Sequence, residues 1–169
     1  MPRIIDFLEP MSPTLNILVA EDNTDDVFLL EQAFRKAGVT SRLTAVRDGV
    51  DAVAYLKGEG SYGNRAEFPF PDVLLLDLNM PRMNGFEVLE WVRQDENCGR
   101  LIVYVLTASA RESDMDRAFS LCANSFIVKP NRLDELVAFV SALHQWHRFV
   151  SLPRRPANRK ALAGSCQSE

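Results

Sequence analysis

Between Leu15 and Leu143, short apolar runs alternate with segments of helical period, and this restricts the fold more than any other feature of the chain. LNILVA (Leu15 to Ala20), DVLLLDL (Asp72 to Leu78) and LIVYVLT (Leu101 to Thr107) read as strands. The core of DVLLLDL is continuously apolar, as in a strand covered on both faces. Arg42 to Val46 and SFIV (Ser125 to Val128) are weaker and shorter strands. Between them the spacing predicts helices. The first is capped by Thr24, carries Asp25 and Asp26 in its first turn and ends before Gly38. The second runs from Asp48 to about Lys57. The third opens on a capping box of Asn84 and Glu87, with Phe86, Leu89 and Val92 inward. Ser109 and Glu112 form a similar start for the fourth, where Met115, Ala118, Phe119 and Cys122 follow helical spacing. Asn131 caps the last, with Leu133, Leu136, Val137, Val140 and Leu143 on one face. Five strands and five helices in strict alternation, joined by right-handed crossovers, give a doubly wound α/β sandwich. The segment GEGSYGNRAEFPFP is long for such a connection, and loops of that length are often functional or mobile.

A chain of 169 residues makes one domain with a sizeable core rather than two. The net charge of −4 gives no electrostatic reason to expect nucleic acid as a partner. No apolar run approaches the roughly 20 residues that span a bilayer. The N-terminus lacks the pattern of a signal peptide. Cys98, Cys122 and Cys166 are odd in number and scattered, which suggests reduced thiols and a cytoplasmic protein.

In a doubly wound sheet, ligands bind at the carboxyl ends of the central strands. The first strand ends in Glu21 and Asp22, the third in Asp77, the fourth in Thr107 followed by Ala108, and the fifth in Lys129 followed by Pro130. Crowded carboxylates repel one another and need a cation. Oxygen-only ligands select a hard ion, and Mg²⁺ is the usual choice beside a phosphoryl group. Asp77 can act as the nucleophile and form an aspartyl phosphate. Mg²⁺ and the Lys129 ammonium would neutralise the transferred group, the Thr107 hydroxyl could donate to it, and Ala108 leaves it room. Taken singly, each residue has a plainer use. Glu21-Asp22 can be a solvated turn, Asp77 a helix cap, and Thr107 or Lys129 a structural or solvated strand end. Independent caps would not, however, place a lysine among acids in register with the others.

ILVAEDN, LLLDLNMPRMNG, VLTAS and FIVKP resemble, in order, the four signatures of bacterial response-regulator receiver domains over roughly Leu15 to Leu143. The resemblance implies a flavodoxin-like fold with strand order 2-1-3-4-5 and five helices. It implies that Asp77 is the phosphoacceptor, and that Glu21, Asp22, Asp77 and a carbonyl of Asn79 bind Mg²⁺. Thr107 takes the place of the switch hydroxyl, Lys129 of the phosphate-pairing lysine and Phe126 of the switch aromatic. In this family the bond corresponding to Lys129–Pro130 is often cis. The first acid, Glu21, is usually Asp, and Phe126 lacks a hydroxyl, so its switching would be steric. The family's phosphorylation-sensitive face falls on Arg111 to Leu121, Ser125 to Val128 and Arg132 to Trp146.

The aromatic-containing loop, ANSF before the lysine and a final helix reaching Trp146 and Phe149 resemble more narrowly the single-domain regulators paired with bacterial phytochromes. This implies a histidine kinase with a bilin photoreceptor as phosphate donor, and a homodimer. Residues 1–13 form an N-terminal extension in which Ile4, Ile5, Phe7 and Leu8 could make a helical arm or a disordered leader. Residues 14–150 are the receiver domain and 151–169 a flexible tail. Its Arg154, Arg155, Arg159 and Lys160 suit an anionic partner or simple solvation. With no effector domain, output falls to protein contacts or phosphotransfer. Two other classes compete: a phosphatase of the haloacid-dehalogenase type and a receiver scaffold that works without phosphorylation. The phosphatase usually needs a second Asp where Asn79 stands, and the scaffold has no need of a complete acidic pocket. A nucleotide or flavin binder lacks its glycine-rich motif here.

Overall fold

A computed structural model describes residues 14–150 and 152–153. The elements alternate as β1 (Leu15–Ala20), α1 (Thr24–Lys36), β2 (Ser41–Val46), α2 (Gly49–Lys57), β3 (Val73–Leu76), α3 (Gly85–Gln94), β4 (Ile102–Thr107), α4 (Glu112–Ser120), β5 (Ser125–Val128) and α5 (Leu133–His147). The five strands form one parallel sheet in the order β2-β1-β3-β4-β5. This is the flavodoxin-like order expected from the resemblance.

Continuous apolar runs are needed because both faces of the sheet are covered. On β3, Leu74 and Leu76 point into a core shared with α2, α3 and α4. Val73 and Leu75 point into a second core shared with α1 and α5. β1 divides in the same way: Leu18 and Ala20 on one side, Ile17 and Val19 on the other. All four side chains of β3 are buried, and each such burial stabilises the fold by about 1.5–3 kcal/mol. The edge strands β2 and β5 are only partly covered, which explains their weaker pattern.

Helix starts depart from expectation at three places. The cap of α1 is Asn23, not Thr24. Its backbone is extended and its side chain accepts the Asp25 and Asp26 amides, while Thr24 is already helical. Ser109 and Glu112 form no capping box, because α4 starts later, after the extended Arg111; the Ser109 hydroxyl accepts the Arg111 amide at 3.4 Å and donates to Asp114 Oδ2 at 2.5 Å. For α5 that residue is Arg132 rather than Asn131, and its guanidinium pairs with Asp134. Asn84 and Glu87 do form the capping box of α3. On that helix Val88 is buried with Leu89 and Val92, while Phe86 is half-buried beneath the Arg117 guanidinium. On α4 only Ala118 is buried, and Met115 and Phe119 face outward.

The long segment after α2 is packed onto the domain. Arg65 donates to the carbonyls of Tyr55, Leu56 and Phe68, taking up the open carbonyls at the end of α2. The rings of Tyr55, Tyr62 and Phe68 lie against one another. Lys129–Pro130 is trans, since no described peptide bond is cis. This is the isomer that an X–Pro bond ordinarily prefers. The N-terminal arm, the basic tail and Cys166 lie outside the described residues. Of the other cysteines, Cys122 is exposed and Cys98 is buried, which pushes its thiol up to about 12.

Candidate functional site

The parallel hydrogen bonding continues one residue past three strands, and this aligns the site. The Asp77 amide donates to Ala20 O at 3.0 Å, the Glu21 amide to Val46 O at 3.0 Å, and the Lys129 amide to Thr107 O at 2.8 Å. Each residue therefore leaves the sheet at the same level as its neighbour, at the carboxyl edge.

Glu21, Asp22 and Asp77 meet there, each offering a carboxylate oxygen within 4.8 Å of the others. Glu21 and Asp77 are buried, and Asp22 is exposed. Asp77 Oδ2 accepts the Asn79 amide at 3.1 Å, whereas the buried Asp77 Oδ1 has no hydrogen-bond partner. The Lys129 ammonium stands 3.6 Å from that oxygen, too far for a hydrogen bond. It lies instead 2.5 Å from Glu21 Oε2 and 2.9 Å from Asp26 Oδ2.

Burial pushes the Glu21 carboxyl above the ordinary range, against the pull of Lys129. Burial also works against the charge on Lys129, but its hydrogen bonds to Glu21 and Asp26 outweigh that and hold its pKa up. Three carboxylates, those of Glu21, Asp26 and Asp77, thus share one ammonium, and Asp22 adds a fourth beside Glu21 and Asp77. An all-oxygen donor set, short of positive charge and with one orphaned buried oxygen, fits a hard divalent cation.

Thr107 is fully buried at the end of β4, its hydroxyl oxygen accepting the Ser109 amide at 3.3 Å. Ala108 lines a cavity of about 200 Å³ together with Glu21, Asp26, Asp77 and Lys129. Phe126 is half-buried, opposite Val105 in the sheet register and packed on the α2–α3–α4 core. Asn79 is exposed, with its amide turned to Asp77. The sequence-expected residues are therefore assembled at one edge, with Phe126 three residues back along β5.

Three residues of this region escaped sequence reasoning. Asp26 looked like ordinary first-turn charge on α1. Its contact with Lys129 joins residues 103 apart in the chain, and no local pattern signals it. Gly85 must be glycine, because a β-carbon there would lie 2.8 Å from Leu78 Cα and nearer still to the Asp77 carbonyl oxygen. Arg82, at φ +62°, pairs with Asp48 and Asp51 and ties the loop after β3 to the start of α2.

Residues 17–141 match the family model described as the response regulator receiver domain. The chain is 34% identical over 143 residues to the response regulator Rcp1 of Synechocystis sp., which spans 84% of this chain and 95% of that protein. A solved Mn²⁺-bound form of Rcp1 aligns with a TM-score of 0.73 at 33% identity, covering 83% of this chain and 99% of that one. The phosphorylated cyanobacterial phytochrome response regulator RcpA aligns at 0.75 and 34% identity, covering 83% and 99%. The response regulator RPA3017, in red light signalling of R. palustris, aligns at 0.78 and 35%, covering 83% and 99%.

Proposed function

This chain belongs to the response regulator receiver domain family, and we propose that it is a single-domain phosphorylation switch whose acceptor is Asp77. The observation that carries this reading is the buried Asp77 Oδ1, which has no hydrogen-bond partner and faces the Lys129 ammonium, on a carboxylate grouped with those of Glu21 and Asp22. An Asp77 oxygen attacks the phosphorus of a phosphohistidine. The P–N bond breaks, its electron pair stays on the imidazole nitrogen, and that nitrogen is then free to take a proton. The Asn79 amide holds Asp77 Oδ2, which leaves Oδ1 free for the attack.

Glu21, Asp22, Asp77 and the Asn79 carbonyl would hold Mg²⁺, which supplies charge neutralisation for phosphoryl transfer. Lys129 pairs with the transferred group. The Thr107 hydroxyl turns from the Ser109 amide to donate to it, Ala108 gives it room, and Phe126 repacks behind Thr107. That is a shift between two packed states. Asn79 lacks an acidic proton, which weighs against a phosphatase and for a signalling protein that changes only its own phosphorylation state.

The phosphate donor in this reading is a histidine kinase of phytochrome type. Support comes from the narrower resemblance and from relatives described as phytochrome or red-light regulators. Output runs through protein contacts, including a homodimer through α4, β5 and α5 or the terminal extensions, residues 1–13 and 151–169. Support for that face is the exposure of Phe119, Val128, Trp146 and Phe149. A cytoplasmic setting agrees with the absence, among the described residues, of any helix long and apolar enough to cross a membrane.

The test is incubation with acetyl phosphate and Mg²⁺, followed by intact mass measurement. A single phosphoryl adduct that requires both the metal and Asp77 is expected. An adduct that persists in Asp77→Asn would overturn the assignment.

A further inference from the structure

The Lys129 ammonium, the group assigned to the transferred phosphate, rests on acids other than the acceptor. It is within hydrogen-bond distance of Glu21 and of Asp26, but 3.6 Å from Asp77 Oδ1. Glu21 and Asp77 are buried parts of the carboxylate cluster at the sheet edge. Asp26 belongs to a different element, the first turn of α1, and its side chain is 37% exposed.

Nothing in the helix itself requires this contact. Asn23 supplies the cap, accepting the amides of both Asp25 and Asp26. An acid in a first turn is already favoured by the open N–H groups there. The Asp26 carboxylate nevertheless spans from α1 to the end of β5, and it lines the same cavity as Asp77, Ala108 and Lys129.

We propose that Asp26 is a positioning residue that holds Lys129 in the resting state and so restrains phosphorylation of Asp77. The idea rests on the reading of Asp77 as phosphoacceptor. A phosphoryl group on Asp77 brings anionic oxygens into a cavity served by one described ammonium, and Asp26 competes with them for its protons. The same carboxylate adds a negative charge beside the path of an anionic phosphodonor. Both effects act against the phosphorylated state, and both vanish when Asp26 loses its charge while keeping its shape.

The experiment compares wild type, Asp26→Asn, Asp26→Glu and Asp77→Asn by intact mass, over a range of acetyl phosphate concentrations and at low and high salt. Asp26→Asn is expected to lower the half-saturating acetyl phosphate concentration and to lengthen the life of the adduct, each by roughly three- to tenfold. Asp26→Glu is expected to restore wild-type behaviour. The effect on lifetime is expected to persist at high salt, because the contact is partly buried. Equal or slower phosphorylation in an Asp26→Asn protein of unchanged thermal stability would overturn the proposal, and so would an effect abolished by salt, which marks long-range repulsion alone. Absence of any adduct on wild type, or its survival in Asp77→Asn, would mean that the phosphoacceptor reading itself had failed, and the proposal with it.

Discussion

The carbonyl oxygen of Asp77 and the α-carbon of Gly85 are so close that no β-carbon fits between them. The Gly85 amide also donates to the Leu78 carbonyl at 3.0 Å, drawing the start of α3 onto the end of β3. The backbone of the proposed acceptor is thus held from outside its own strand.

Replacing Gly85 by Ala forces these two segments apart. Overpacking of this kind costs about 1–3 kcal/mol, read as a fall in the denaturant midpoint. Acetyl phosphate labelling of the folded variant is expected to be slower than wild type, because Asp77 itself is displaced. Wild-type stability and labelling together would show that the contact relaxes freely.

Asp48 couples stability to pH. Burial works to raise the pKa of its carboxyl, but the Asp51 amide and the Arg82 guanidinium more than offset this and hold it below the ordinary aspartate value. A depressed folded-state pKa contributes stability above the unfolded value, about 3.9, and that contribution is lost as pH falls through the folded value. Asp48→Ala, which removes both cap and charge, is expected to lose about 1–2 kcal/mol at neutral pH. Asp48→Asn retains a capping side chain and isolates the charge. Its deficit in thermal midpoint should hold from neutral pH down to about 4 and then close on further acidification. A deficit unchanged throughout that range would assign the effect to packing.

Metal binding is expected to stabilise the fold, because it relieves repulsion among Glu21, Asp22 and Asp77. The thermal midpoint should rise with Mg²⁺ or Mn²⁺ and return when the metal is chelated. Asp22→Asn removes the exposed ligand without opening the core. It should weaken the metal, measured by calorimetry, by at least about tenfold. A midpoint indifferent to both ions would count against the site.

Self-association is expected to depend on α4, β5 and the end of α5. Phe119→Ser and Trp146→Ser remove exposed apolar surface there, whereas Phe28→Ser removes a comparable exposed ring from α1. Light scattering should show the dimer weakened in the first two proteins and retained in the third. The reverse pattern would move the interface to α1.

The sheet and most of the site were legible because their signals are local. A strand buried on both faces has to be apolar throughout, so LNILVA and VLLL announce themselves. The carboxyl edge then collects whatever ends those strands, and Glu21, Asp22, Asp77, Thr107 and Lys129 follow. Helix starts were less legible. Whether Ser109 caps α4 depends on where the helix begins, and it begins after Arg111, whose amide the Ser109 oxygen accepts. The exposed side of α4 was equally hidden, because Met115 and Phe119 share the apolar spacing of core residues.

The alternation of elements, the doubly wound class and the set of acids, hydroxyl and lysine at one edge are encoded locally. These depend on side-chain period and on strand ends, which the order of residues specifies directly. Packing sets which acids hold Lys129, how Asp77 Oδ1 comes to lack a hydrogen bond, and why Gly85 must lack a side chain. Each of these is a distance between segments far apart in the chain, fixed by how α1, α3 and β5 pack against the sheet.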